Sequence, residues 1–202
     1  MRSKIAIVVL SCLMVGAALA RAEEPKQDKP AGQPSAAEME AFQKSMTPGE
    51  QHKRMARMVG DWTFTNKMWM APGQPPAESG GTMHAEALMG GRYIEHHWSG
   101  NFMGMPFEGR GTEGYDNVTK QYRSTWIDNM GTGIMTQTGT CDDGGKKCTY
   151  TGTMADPMTG KDTTTRSVIT WVDNDTFTNE MYGNDPSGKE MKMMEITAKR
   201  KK

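Results

Sequence analysis

The chain has 202 residues, 24 Lys+Arg against 24 Asp+Glu, 36% apolar residues, 23 Gly and 3 Cys. These values fit one modest globular domain and exclude collagen-like or fully disordered chains. The balanced charge removes the broad basic field with which nucleic-acid binders displace phosphate counterions, so no nucleic-acid partner is expected.

Residues 1 to 22 run through Arg2 and Lys4, the apolar stretch Ile5 to Leu19 and then Ala20-Arg21-Ala22, the three regions of a secretory signal peptide. The apolar run falls short of the roughly 18–20 residues of a membrane span and is interrupted by Ser11, Cys12 and Gly16. The expectation is export to a periplasmic or extracellular compartment, with no stable membrane insertion after cleavage. Removing the signal takes away Arg2, Lys4 and Arg21 and leaves a formal charge of −3. It also removes Cys12, so Cys141 and Cys148 are expected to pair as a disulfide in an oxidising compartment. The intervening Asp142-Asp143-Gly144-Gly145 reads as a hairpin tip, because Asp-Gly and Gly-Gly supply positive φ angles.

Residues 23 to 35 contain Pro25, Pro30 and Pro34 but no aromatic or branched aliphatic side chain, the composition of a flexible leader. From Ala36, the spacing of Met39, Phe42 and Met46 predicts a short helix with one apolar face. Thr47-Pro48-Gly49-Glu50 predicts the start of a second helix capped by Thr47, with Met55, Met58 and Val59 as its buried stripe.

After Gly60 the punctuation is that of an antiparallel sheet, with turn-forming clusters at Pro72-Gly73, Gly90-Gly91, Asp116-Asn117, Asp142 to Gly145, Asp156 to Gly160, Asp173 to Asp175 and Asp185 to Gly188. About ten strand-length segments lie between them; Trp62 and Phe64 alternate with Thr63 and Thr65, and Arg166 to Val172 and Thr176 to Tyr182 are rich in Thr, Val, Ile and aromatics. No βαβ alternation interrupts the strands, so an up-and-down meander is the simplest topology, and closing it removes both edges. The predicted fold over 36 to 202 is one all-β domain, a roughly ten-stranded antiparallel barrel with one or two short N-terminal helices packed against an end.

Gly60-Asp61-Trp62, after a short helix and opening the first strand, resembles the Gly-x-Trp start of lipocalins and related calycin barrels. That resemblance implies that a basic residue near the C-terminus, Lys199 or Arg200, covers Trp62 by a cation–π contact. A longer series is more specific. Gly90-Gly91-Arg92-Tyr93, Gly104-Met105-Pro106-Phe107-Glu108-Gly109, Gly114-Tyr115-Asp116-Asn117, Ser124-Thr125-Trp126-Ile127-Asp128-Asn129-Met130, Asp156-Pro157-Met158-Thr159-Gly160-Lys161 and Gly188-Lys189-Glu190, in this order, resemble the bacterial DUF1579 family. The resemblance covers about residues 50 to 200 and implies a secreted or soluble β-barrel of unknown function, with no catalytic residues to carry over. Similarity to nitrobindin-like haem barrels is at the level of fold, which does not fix function.

Methionine is the outlying residue type, 20 in all. The pairs Met68/Met70, Met103/Met105 and Met191/Met193 have a spacing that, on a strand, puts both thioethers on one face. Thioethers suit Cu(I), and they equally suit the lining of a lumen that accepts a flexible apolar ligand. His96 and His97 are adjacent, so on one strand their rings face opposite sides; His97 is taken as the candidate ligand contact. Arg123, Arg166, Glu180 and Glu195 interrupt apolar or Thr-rich runs, where an inward Arg would hold a carboxylate head group and an outward one would face solvent. Trp126 is a further candidate at the barrel mouth. No nucleophile elbow, phosphate loop, dinucleotide fingerprint or His-Glu-x-x-His helix is present, and no enzymatic activity is expected. The functional expectation is a lumen that binds a small, largely apolar molecule. The alternatives are Cu(I) binding through the Met-x-Met pairs and a ligand-free envelope protein. No resident cofactor is expected, haem or Cu(I) being the alternatives, and the oligomeric state stays open.

Overall fold

Short Gly- and Asp-rich turns leave the chain after Gly60 no connection long enough for a crossover, so each strand pairs with the next. In the computed structural model, which describes residues 32–156, 159–185 and 187–202, two helices precede ten strands. The signal-peptide reading of 1 to 22 and most of the leader lie outside the described residues. The helices are α1 (Ala36–Met46) and α2 (Glu50–Met55), the latter followed by a 3₁₀ turn (Ala56–Met58). The strands are β1 (Gly60–Met68), β2 (Ala77–Leu88), β3 (Tyr93–Phe102), β4 (Met105–Asp116), β5 (Gln121–Asp128), β6 (Met135–Cys141), β7 (Lys147–Ala155), β8 (Asp162–Trp171), β9 (Thr176–Asn184) and β10 (Glu190–Arg200). All neighbours are antiparallel, and β1 pairs with β10 to close the barrel. No helix among the described residues is long and apolar enough to cross a membrane.

Aspartates fasten the turns. The Asp142 carboxylate accepts hydrogen bonds from the N–H groups of Lys146 (2.7 Å) and Lys147 (3.1 Å), and Gly145 takes the positive φ of 62° that ends the turn. Cys141 and Cys148 face each other across this hairpin and form the disulfide. In the chain-entropy model a loop this short contributes about 2 kcal/mol. Urea unfolding of Cys141→Ala/Cys148→Ala is therefore expected to show a loss of roughly that size with the barrel still formed; an unchanged midpoint would remove the staple role.

The helical segment departs from its predicted cap. Thr47 donates instead to the Gln43 carbonyl at the end of α1 (2.8 Å). Gly49 is the N-cap of α2, and its N–H donates to His52 Nδ1 (3.0 Å), an imidazole in place of the usual carboxylate. Met55 and Met58 are buried as their spacing requires and cover one end of the barrel together with Val59. In contrast, α1 buries no residue, and Met39, Phe42 and Met46 remain exposed. Its end is tied down by polar contacts. Arg92 donates to the Met46 carbonyl (2.8 Å) and Asn117 to the carbonyls of Lys44 (3.1 Å) and Thr47 (2.8 Å).

Candidate functional site

The alternation of each strand decides which side chains enter the lumen. On β1, Trp62, Phe64 and Asn66 are buried while Thr63, Thr65 and Lys67 are exposed, and the register carries the inward set to Arg200, Ala198 and Ile196 on β10. Trp62 meets Trp171 and Phe177 edge to face, those two rings are tilted against each other, and the trio closes the helical end under the 3₁₀ turn. The Arg200 guanidinium lies 4.1 Å over the Trp62 ring, while Lys199 points outward. Its nitrogens donate to the carbonyls of Val59 and Arg57 (both 2.7 Å) and to Asp175 (3.0 Å). Below this plug Glu113 is buried and accepts a hydrogen bond from Tyr150, while Tyr122 donates to Gln51 (2.6 Å). Burial pushes the Glu113 carboxyl above its ordinary range, against the opposing pull of the Tyr150 hydrogen bond, and pushes Tyr122 up to about 12. The cavity here is about 30 Å³, so this end holds no more than water.

The half of the lumen away from α2 is lined by side chains of mixed character. His96 and Trp98 enter from β3, Ser124 and Trp126 from β5, Met135 and Gln137 from β6, and Asn179 and Met181 from β9. These side chains are only part-buried although they face inward, as expected of the wall of an internal space. Two glycines on β4 make room for the rings: a Cβ on Gly109 would collide with Trp126, and one on Gly111 with His96. His96 stacks on Trp126 with centroids 6.0 Å apart, and Trp98 Nε1 donates to His96 Nδ1 at 2.8 Å. An indole N–H only donates, so the neutral imidazole carries its proton on Nε2 and offers the lumen a donor. Burial lowers the His96 pKa to about 4, which keeps the ring neutral at physiological pH. Asn66 and Asn179 lie on either side of Ile196 in register, and the side-chain oxygen of each is buried without a protein partner.

Residues 47–200 match the family model described as "Protein of unknown function (DUF1579)". The chain belongs to this family. The crystal structure of Rv2717c from M. tuberculosis is similar to this DUF1579 barrel at a TM-score of 0.56 and 11% identity, over 77% of this chain and all of that one. At that identity the likeness shows the fold alone. A redesigned beta barrel aligns at a TM-score of 0.37 and 16% identity, over 73% of this chain and 94% of that chain. No curated protein matches the chain.

Only part of the sequence-predicted set lines the lumen of this DUF1579 chain. Trp126 does, with its Nε1 donating to Asp128 (2.7 Å). His97 does not: it faces outward and bonds Glu95 (2.9 Å), while His96 is the inward ring. Arg123, Arg166, Glu180 and Glu195 all sit on the outer wall. Arg166 makes a bidentate pair with Glu190 (2.8 Å for each bond) and stacks over Tyr182, whereas Glu180 and Glu195 share Lys192. Arg123 lines an outer groove of about 880 Å³ between the end of α1 and the outward threonines of β4 to β7.

The Met-x-Met pairs also depart from the expected strand geometry. Met103 adopts φ 51° in the β3–β4 turn, and Met70 lies beyond the end of β1, so neither pair shares one strand face. A bulge between Lys192 and Met194 breaks the alternation at Met191/Met193, and Met193 packs its sulfur against Gly183. What these positions share is the end of the barrel away from α2, where Met70, Met103, Met105 and Met154 are exposed around the mouth. For the haem alternative, the His96–Trp98 bond leaves Nε2 as a donor without the lone pair that iron requires. The signal that finds His96 is parity, because Ile94, His96 and Trp98 alternate with Tyr93, Glu95 and His97. The same parity puts Asn66 with Trp62 and Phe64, Asn179 with Phe177, and Glu113 with Tyr115, but which polar partners each meets inside depends on other strands.

Proposed function

We propose that this protein is an exported, non-enzymatic binding protein that holds a small, largely apolar molecule in the half of its lumen away from α2, with a hydrogen-bond donor at the molecule's polar end. The observation that carries this reading is the pair of buried, unpartnered oxygens, Asn66 Oδ1 and Asn179 Oδ1. A buried polar atom left unpaired costs about 1–3 kcal/mol, so a donor brought by a ligand would be favoured there. Two strand spacings separate the two residues across β10, about 10 Å, within reach of one amine- or hydroxyl-bearing molecule. Trp98, Trp126, Met135 and Met181 supply apolar surface for its body, and His96 Nε2–H a donor for an acceptor group on it. The Cys141–Cys148 bridge supports an oxidising, extracytoplasmic compartment.

Native mass spectrometry of the protein purified from its own compartment, set against the same sample denatured, tests the reading. A stoichiometric extra mass that disappears on denaturation is expected, with its occupancy reduced at least fivefold in Asn179→Leu. The bare chain mass under both conditions, together with no uptake of the apolar probe 1-anilinonaphthalene-8-sulfonate, would overturn it.

A further inference from the structure

On the outer wall of β2 and β3, two cross-strand pairs stack directly on one another: His84 opposite His97, and Glu86 opposite Glu95. All four side chains belong to the outward set, with Met83, Ala85, Ile94, His96 and Trp98 filling the opposite parity inside. Two carboxylates directly opposite on an antiparallel pair repel each other, and no ion pair compensates Glu86 among the described residues. One donor atom from each of Glu86, Glu95 and His97 lies within 4.8 Å of the other two.

We propose that Glu86, Glu95 and His97 form a divalent transition-metal site of the Zn²⁺ type. The contact between His97 Nε2 and Glu95 Oε2 is 2.9 Å. Two metal–ligand bonds of about 2.1 Å meeting at the tetrahedral angle span roughly 3.4 Å, so a cation replaces the shared proton once the two side chains part by about 0.5 Å. Glu86 closes on the same point from β2, and its charge turns from a repulsive neighbour into a ligand. One imidazole with two carboxylates selects borderline cations over Mg²⁺ and Ca²⁺, which prefer oxygen-only cages. The side chains of His97 and Glu95 keep 34% and 28% of their accessible surface, which leaves water to complete the coordination sphere. Arg110 is opposite His97 on β4 and Thr112 opposite Glu95, so a single cationic neighbour competes with the metal from that side. On the other side Asp61 holds His84 Nδ1 at 2.8 Å and keeps that ring engaged elsewhere. The site is independent of any lumen ligand.

Calorimetric titration of the untagged protein with ZnSO₄ at pH 7 tests the assignment. One equivalent of Zn²⁺ is expected to bind, and Glu95→Gln and His97→Ala should each weaken it at least tenfold. Glu180→Gln, in the acidic patch on the far side of the barrel, should leave it unchanged, and MgCl₂ should give no heat of binding. Proton NMR of the unmodified protein supplies a readout that does not depend on any variant folding: the His97 ring resonances should shift on Zn²⁺ addition and those of His52 and His96 should not. Zn²⁺ binding that survives both substitutions, the absence of binding at millimolar Zn²⁺, or an unmoved His97 signal overturns it.

Discussion

Trp62→Ala is expected to lower the unfolding free energy by about 3–5 kcal/mol, enough to leave a domain of this size marginal or unfolded at room temperature. The ring is fully buried, it packs edge to face on Trp171 and Phe177, and its indole N–H donates to the Met58 carbonyl at 2.8 Å. Removing it therefore empties the plug of the closed end and leaves a buried carbonyl unpaired. Arg200→Ala should cost about 2 kcal/mol, because it strands the carbonyls of Val59 and Arg57 as well as uncovering the indole. The two substitutions touch the same contact, so their effects should fall short of additive by roughly 1 kcal/mol in a double-mutant cycle. Urea unfolding followed by far-ultraviolet circular dichroism measures all of these. If Trp62→Ala does not fold, Trp62→Phe keeps most of the apolar volume and loses the N–H bond. A loss below about 1 kcal/mol for Trp62→Ala would mean that the end of the barrel is not held by this ring.

The parts of the fold that depend on nearest neighbours are legible in the sequence. Trp62 and Phe64 share a parity, Met55 and Met58 share a helical face, and Asp142-Asp143-Gly144-Gly145 specifies its own turn, so strand number, order and the closed topology followed from local chemistry. The site was less legible because a lumen is made by strands far apart in sequence. Arg123 and Trp126 differ by an odd number of residues on one strand and cannot both enter, which alternation alone would have decided. The glycines are a harder case. Gly109 and Gly111 weaken β4 on propensity grounds, and their purpose appears only when Trp126 and His96 arrive from the two flanking strands. Glu113 shares the parity of Phe107 and Tyr115, but the partner that satisfies an inward carboxyl, Tyr150, comes from β7, three strands away. In α1 the stripe of Met39, Phe42 and Met46 forecasts burial, yet nothing in the helix states what covers it, and the barrel does not. The Asp116-Asn117 turn is a similar case: nothing local to it states that Asn117 holds the carbonyls that end α1.

Acidification is expected to destabilise the protein through His96, by about 3 kcal/mol between neutral pH and pH 4, a figure that follows from a pKa lowered from 6.5 to about 4. The folded barrel disfavours the charged ring chiefly because it is desolvated among Trp98, Trp126 and the β4 backbone, and the His97 charge adds to this. The unfolded chain protonates near pH 6.5, so the stabilising contribution is complete above that value and is lost progressively as the pH falls towards 4. His52, also lowered by its burial, acts in the same direction, whereas the raised Glu113 acts in the opposite one and gains from acid. The background of other carboxylates cancels when two variants are compared at each pH. His96→Gln keeps an acceptor for the Trp98 indole while removing the titration, so its unfolding free energy should be nearly as high as the unmodified protein's at pH 7.5 and higher at pH 4.5. The difference between the two pH dependences, read from urea midpoints at fixed m-value, isolates the imidazole. Parallel curves for the two proteins would mean that His96 titrates as a solvated ring and does not face a dry lumen.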